Sequence, residues 1–234
     1  MSNDRYARYG AASGIVFLVL FVVGFVGFVV PSSPNADASG QEWASFFTDH
    51  QNRIQFGILL VGIGLFFFIW FLGSLRSAIA AAEGGTGRLA TIAFGGGLVT
   101  AAFFLIAITA TATADYRPQE VDPNLTRALN DVAFVVGAPA AAGVTALFAA
   151  TAIAGYRFGA LPTQAAGLSA LAAVTQPLAY GAAFTDSGAF APDGALGAFV
   201  PLLTFLIGII AISVALMRQP AAAAAGARPA AGPQ

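Results

Sequence analysis

Six apolar stretches, each free of charged residues in its interior, dominate this chain of 234 residues. A hydrocarbon core about 30 Å thick is crossed by roughly 20 helical residues at 1.5 Å rise each, and every stretch meets or nearly meets that length. Only 9% of the residues are charged, and the mean hydropathy is +0.79. The pattern predicts an all-α, polytopic membrane bundle of six transmembrane helices, near residues 11–30, 54–72, 89–112, 132–154, 165–184 and 196–217.

The polar segments between these spans are too short for a separate soluble domain. The longest, residues 31–53 and 113–131, have about twenty residues each, and a soluble core needs far more chain to bury adequate surface. We therefore predict a cytoplasmic lead at residues 1–10, one transmembrane domain over 11–218, and a disordered Ala/Pro-rich cytoplasmic tail at 219–234.

Arginine positions predict the orientation of the bundle. With the N-terminus inside, arginines outnumber acidic residues in the inner segments, and the acidic residues concentrate outside, as the positive-inside rule favours. Both termini are then cytoplasmic. The inner set is Arg5, Arg8, Arg76, Arg88, Arg157, Arg218 and Arg228 with Asp4 and Glu83; the outer set is Arg53, Arg117 and Arg127 with Asp37, Glu42, Asp49, Asp115, Glu120, Asp122, Asp131, Asp186 and Asp193.

Composition excludes several classes of function. The chain has no Cys, which excludes disulfides and cysteine-ligated iron–sulfur clusters. It has no Lys either, which excludes a retinal Schiff base, and a net charge of −1 argues against a nucleic-acid partner. Basic residues that are all Arg, with abundant Ala, Gly and Val, indicate a high-GC coding bias. We expect a bacterial plasma-membrane protein whose partner is the lipid bilayer, and association with other membrane proteins stays open.

The first apolar stretch also invites comparison with a signal peptide. Arg5 and Arg8 form a basic start, and Ala36-Asp37-Ala38 resembles a small-residue cleavage site. The apolar run over residues 11–30 is longer than the 7–15 residues typical of a signal-peptide core. Retention as an uncleaved span is the favoured interpretation.

The first outer loop contains a helix signal. Ser39 and Glu42 have the spacing of a capping box, in which each side chain satisfies a backbone N–H of the other residue. Apolar and charged residues then alternate at helical spacing, which predicts a short amphipathic helix at the outer interface. Whether it is continuous with the second span is open. Asp49 and Arg53, four residues apart, are spaced to form an ion pair on that helix.

A candidate outer-surface site consists of Asp49, His50 and Arg53. His50 is the only histidine, which excludes bis-histidine haem ligation and zinc sites that need two or three imidazoles. A lone histidine beside a carboxylate is suited to sensing pH or donating a proton. The favoured alternative is an ordinary polar residue on a solvated helix face.

A second candidate is a polar cavity inside the membrane, formed by Thr175, Gln176, Pro177, Tyr180 and Pro139. Pro177 frees one backbone carbonyl, and the Gln176 amide needs a hydrogen-bond partner in lipid. Pro139 predicts a kink in the fourth span. The favoured alternative to a cavity is an ordinary interhelical hydrogen bond at a kink.

Ionisable side chains are absent from the interior of all six predicted spans. Proton-coupled transporters and ion pumps usually place such groups at membrane depth, so a conventional secondary transporter is disfavoured. We predict no catalytic, cofactor-binding or metal-binding residues, and no enzymatic activity.

The Asp49-His50-Gln51-Asn52-Arg53-Ile54 run resembles a pattern in uncharacterised six-span membrane proteins of actinobacteria, a family with a domain of unknown function. Further matching features are Arg76, the proline in span four, Leu161-Pro162 and Arg218. Where that family commonly has a tryptophan after the Leu-Pro pair, this chain has Thr163-Gln164. The resemblance covers most of residues 11–218 and implies a six-span fold without an assigned activity.

Three functional hypotheses remain from the sequence. The first is a non-enzymatic structural or accessory component of the membrane. The alternative is a permease or channel for a small neutral or lipidic molecule, using the region of Gln176, Pro177 and Pro139. The weakest is a membrane enzyme that uses Asp49 and His50 at the outer surface.

Overall fold

A computed structural model describes residues 3–219 of the chain, with side chains from residue 9 onward. This part of the chain is all helical, without a strand. The α-helices are α1 (Asn3–Phe21), α2 (Gly40–Glu83), α3 (Arg88–Tyr116), α4 (Pro123–Val135), α5 (Gly137–Phe158), α6 (Thr163–Thr175) and α7 (Val200–Arg218). Two π-helical stretches, Val22–Val29 and Ala195–Phe199, adjoin α1 and α7, and a 3₁₀ stretch, Gln176–Ala183, follows α6.

Five helical segments among the described residues are long and apolar enough to cross a membrane. They are Tyr9–Val29, Gly40–Glu83, Arg88–Tyr116, Pro123–Phe158 and Ala195–Arg218. The predicted all-α membrane class is confirmed to this extent. The predicted span near 165–184 differs from the other five, because it is divided between the 13 residues of α6 and the 3₁₀ stretch. The division falls at Pro177, which lacks the N–H that a continuing α-helix requires.

The helix predicted in the first outer loop is part of α2, which runs unbroken for 44 residues. The capping box is confirmed: the Ser39 N–H donates to Glu42 Oε2 at 2.8 Å, and the Glu42 N–H donates to Ser39 Oγ at 3.3 Å. A helix of this length is about 66 Å long, roughly twice the thickness of a hydrocarbon core. It therefore extends beyond the apolar layer.

Consecutive long helices pack antiparallel, and glycine pairs mark where their backbones approach most closely. A Cβ built on Gly24 would lie 2.8 Å from the carbonyl oxygen of Gly57, and one built on Gly57 would lie 2.7 Å from that of Gly24. Gly96 of α3 and Gly143 of α5 show the same reciprocal relationship. Small residues at these crossings permit the close packing that stabilises helix association in lipid.

Phe205 of α7 lies at the centre of the bundle. Its ring centroid is 6.2 Å from that of Phe17, 6.1 Å from Phe68, 5.7 Å from Phe104 and 5.9 Å from Phe148. These rings come from α1, α2, α3 and α5, so one side chain contacts four other helices. Tilted and edge-on aromatic pairs of this kind are each favourable by about 0.5–1.5 kcal/mol beyond the area they bury.

A second, smaller apolar core lies at the N-terminal end of α2. It consists of Trp43, Phe46, Phe47, Ile54 and Ala114, with Leu129 and Phe134 of α4 packed against it. Helix α4 begins directly after Asp122, whose side chain accepts from the Asn124 N–H, and it extends to Val135. The segments outside the main bundle thus share a core that their lengths alone did not predict.

The connection from α2 to α3 is held by Glu83. Its carboxylate accepts from the N–H of Leu89 at 2.9 Å and from that of Ala90 at 3.2 Å. These donors lie in the first turn of α3, where helical N–H groups have no partner within the helix. Gly84, Gly85 and Gly87 all have positive φ, between 56° and 65°, which lets the chain reverse within four residues.

Candidate functional site

The bundle has two ends of different charge. We call them the arginine end, with Arg76, Arg88, Arg157 and Arg218, and the acidic end, where α2 begins and α3 ends. The Gln219 side chain donates to the Ala160 carbonyl at 2.7 Å, which joins the end of α7 to the α5–α6 turn at the arginine end. At the acidic end, the Ala36 N–H donates to Asp193 Oδ2 at 3.0 Å. The charges that the sequence analysis divides into an inner and an outer set therefore lie at opposite ends of the bundle.

Exposed aromatic residues lie at both ends. Tyr and Trp favour the membrane–water interface, where an apolar ring and a polar group are both accommodated. α7, from Val200 to Arg218, is about 28 Å long, which matches the distance between two such interfaces. The exposed aromatics near the ends are Tyr116, Tyr180, Phe184, Phe190 and Phe199 at the acidic end, and Tyr9, Trp70, Tyr156 and Phe158 at the arginine end; Phe56 and Phe66, within α2, are exposed as well.

The polar residues where α6 passes into the 3₁₀ stretch contact α7. Gln176 is 4% exposed, and its Nε2 donates to the Pro201 carbonyl at 2.9 Å. The hydroxyls of Thr175 and Thr204 are 2.7 Å apart, within hydrogen-bonding distance. Both threonine hydroxyls also reach carbonyls of their own helices. These contacts are interhelical hydrogen bonds at a kink, the arrangement that the sequence favoured over a cavity.

The other members of the predicted polar cavity are placed differently. Tyr180 and Pro139 are both exposed, whereas Gln176 is buried against α7. α4 ends at Val135 and α5 begins at Gly137, so the break between the two helices lies close to Pro139. Pro139 has no N–H to donate to the Val135 carbonyl, which weakens the helix at that point. The structure brings Thr175 and Gln176 together with α7 rather than with Pro139.

The predicted outer-surface residues lie on the N-terminal part of α2. His50 Nδ1 is 3.0 Å from the Phe46 carbonyl, a contact in which the ring nitrogen donates. The Arg53 guanidinium donates to the Pro31 carbonyl and lies 5.8 Å from the centroid of the Phe46 ring. Asp49 is exposed. The anticipated Asp49–Arg53 pair is not formed, since the ion pair within residues 9–219 joins Arg117 and Glu120.

An open groove of about 400 Å³ runs beside His50. Ser32, Pro34, Gln41, Glu42, Ser45 and Phe46 complete its lining. The Ser39 backbone N–H and hydroxyl hold the pKa of Glu42 below its ordinary value, so this carboxylate is charged and already engaged in the capping box. Among the described residues, no three His, Asp or Glu side chains are grouped so that they could hold a metal ion. The groove is lined by one imidazole and by one carboxylate, that of Glu42, which is engaged in the capping box.

Sequence reasoning missed a buried carboxyl at the acidic end. Asp115 is 1% exposed, and neither of its carboxyl oxygens has a hydrogen-bond partner within the described part of the chain. The side chain of Gln55 lies nearby, and the Gln51 amide donates to the Asp115 backbone carbonyl at 2.8 Å. Trp43 Nε1 and Asn130 Nδ2 are also buried without a partner. No local sequence signal marks this burial, since Tyr116 and Arg117 follow directly.

Comparison with known proteins identified no relative. No family model, curated protein or solved structure matches this chain. The resemblance to uncharacterised actinobacterial membrane proteins therefore stays an expectation.

Proposed function

We propose that the chain crosses the bacterial plasma membrane six times, with both termini in the cytoplasm. The sixth crossing is the segment formed by α6 and the 3₁₀ stretch. Because a 3₁₀-helix rises about 2.0 Å per residue, 13 α-helical and 8 3₁₀ residues extend about 36 Å, enough for a hydrocarbon core. An even number of crossings and an arginine end facing inward place both termini on the cytoplasmic side.

Within this membrane we propose a non-enzymatic structural or accessory role. The observation that supports it most is the Gln176–Pro201 hydrogen bond. Gln176 is the most polar side chain at membrane depth, and its amide nitrogen is engaged with a neighbouring helix. Thr100, Thr151 and Ser169, which are buried in the bundle, donate to carbonyls of their own helices. Polar groups used for packing in this way are not free to line a substrate path.

One observation favours the alternative, a permease or channel for a small neutral or lipidic molecule. The α6–3₁₀ segment is a broken helix, and transporters often build their binding sites at such breaks. A permease would need Gln176 to release Pro201 and bind the transported molecule. A structural role therefore requires the Gln176–Pro201 hydrogen bond to persist, whereas transport requires it to break.

Replacing Gln176 distinguishes the two roles. For a structural role we expect Gln176→Leu to lower the thermal stability of the purified protein in detergent, by removing an interhelical hydrogen bond. For a permease we expect the variant to stay folded and to lose uptake of its substrate by proteoliposomes. Gln219→Leu is the matched control, because it removes a glutamine–carbonyl bond at the bundle end rather than inside it.

The accessory role is tested by partner recovery. We expect affinity purification of the full chain in mild detergent to recover the same membrane protein in independent preparations. A chain that always purifies alone would contradict the accessory role.

A further inference from the structure

Helix α4 exposes an apolar face, while its buried side carries polar as well as apolar residues. Thr126 is 0% exposed and Asn130 is 6% exposed, and both face the small core between α2 and α3. Leu125 is 54% exposed, Val132 is 47% exposed and Val135 is 39% exposed. On the surface of a water-soluble domain, the exposed face of a helix is polar. The outer face of α4 is therefore suited to an apolar environment.

The apolar face of α4 continues without interruption along α5. Outward-facing residues follow one another at alternating spacings of three and four, which keeps them on one side of a helix. The break at Val136 does not disturb this register, and α4 and α5 together form one candidate span, Pro123–Phe158. The stripe consists of Leu125, Ala128, Val132, Val135, Pro139, Ala142, Ala146, Ala149, Ile153 and Tyr156, all exposed or half-exposed.

We propose that the outer face of α4 is covered by lipid, so that α4 lies within the membrane interface at the acidic end. Val132 and Val135, which belong to the span expected near residues 132–154, contact acyl chains. Leu125, which precedes that span, lies at the level of the headgroups. Continuity with α5 supports this placement, because the α5 part of the stripe faces lipid in any placement that lets α5 cross the bilayer. The half-buried charges Arg127 and Asp131 lie at the edges of the stripe, where their ends reach the headgroup layer.

This placement revises the arrangement drawn from sequence alone. There, residues 113–131 were a polar segment between two spans, and the fourth span began near residue 132. With α4 in the interface, the charges of this segment lie at the membrane surface and its apolar residues lie in the membrane. The inference rests on the chain being a membrane protein and not on the accessory role, so the two fail independently.

Single cysteines test the proposal directly, because the chain has no native Cys. Val132→Cys and Leu125→Cys probe the stripe, and Asn124→Cys is the matched control, since Asn124 is exposed and polar and precedes Leu125. Each variant is reconstituted alone into lipid nanodiscs and treated with a charged, membrane-impermeant maleimide. Both membrane faces are accessible in a nanodisc, so the result does not depend on orientation.

We expect Val132→Cys to react at least tenfold more slowly than Asn124→Cys, with Leu125→Cys in between. We also expect lipids carrying a nitroxide near the headgroup to quench a small uncharged fluorophore attached at Val132→Cys more strongly than at Asn124→Cys. Equal reaction rates at Leu125→Cys and Asn124→Cys in nanodiscs would overturn the proposal, because the start of the stripe would then face water.

A protein partner gives a different result. If Val132→Cys is protected in native membranes but reacts as fast as Asn124→Cys in nanodiscs, a protein rather than lipid covers α4, and the proposal is wrong. Size-exclusion chromatography in detergent checks that each variant is folded. Should Val132→Cys aggregate, the comparison of Leu125→Cys with Asn124→Cys decides, since Leu125 is the more exposed position.

Discussion

At Gly96 and Gly143 the backbones of α3 and α5 are in direct contact. A Cβ built on Gly96 would lie 2.6 Å from the Gly143 carbonyl oxygen, and one built on Gly143 would lie 2.8 Å from the Gly96 carbonyl oxygen. Each glycine therefore occupies space that no side chain can enter unless a backbone moves. Because hydrophobic burial contributes little between helices in lipid, such close contacts carry much of the association energy.

This crossing predicts a sharp contrast between neighbouring positions. We expect Gly96→Ala to lower the free energy of unfolding by about 1–3 kcal/mol, because the added methyl group forces the two helices apart. Gly95→Ala is the control, since nothing lies within 4 Å of its added Cβ. That control should be neutral or stabilising, because alanine favours a helix over glycine by about 0.5–1 kcal/mol. Thermal unfolding in detergent measures both, and similar losses at 95 and 96 would contradict the proposed contact.

The α2–α3 connection gives a second prediction. Gly87, the residue before α3, has no side chain that could cap the helix. The Glu83 carboxylate accepts from an N–H of the first turn instead. We expect Glu83→Ala to cost about 1 kcal/mol of stability, the usual effect of losing a helix cap. Glu83→Gln should lose less, because it keeps an acceptor and gives up only the interaction with the helix dipole.

Glu120→Ala is the matched control for the cap. Glu120 is an exposed acidic residue whose ion pair with Arg117 has an N–O distance of 3.5 Å. Exposed pairs contribute little to stability, so this variant should unfold within a few tenths of a kcal/mol of the wild type. If Glu83→Ala unfolds at the same temperature as Glu120→Ala, the cap is not a stabilising contact.

Features encoded by neighbouring residues were predictable from the sequence. The apolar stretches predicted the long helices, and the spacing of Ser39 and Glu42 predicted the capping box. In each case a local pattern determines a local structure through helix periodicity or through the four unpaired N–H groups of a helix start.

Features that depend on distant segments were not predictable in this way. Asp115 is buried because α2 and α4 close over the end of α3, and nothing in its flanking residues encodes that. Periodicity likewise shows that α4 has an apolar side, but not whether that side faces a core, water or lipid. The partner of Gln176 was also undetermined, since any carbonyl of an adjacent helix would satisfy its amide in a membrane.

The Thr175–Thr204 contact is a third testable interaction. We expect Thr175→Val, which keeps the side-chain shape and removes the hydroxyl, to lower the free energy of unfolding by about 1 kcal/mol, the usual scale for an interhelical hydrogen bond in a membrane. Thr109→Val is the control, because the exposed Thr109 hydroxyl donates only to the Leu105 carbonyl of its own helix. A double variant, Thr175→Val with Thr204→Val, should cost less than the two single variants added together. Strict additivity in thermal unfolding would show that the hydroxyls do not interact.

Unlike the substitutions above, replacement of Asp115 is expected to stabilise the protein. The Asp115 carboxyl is buried without a hydrogen-bond partner, and it lies in the last turn of α3, where helix carbonyl dipoles disfavour negative charge. Asparagine has nearly the same shape and no charge, so we expect Asp115→Asn to raise the free energy of unfolding at neutral pH by about 1–3 kcal/mol. Asp49→Asn, at an exposed position of α2, should change stability little. The measurement is thermal unfolding of the three proteins in one detergent. A less stable Asp115→Asn variant would mean that the carboxylate holds a stabilising partner in solution.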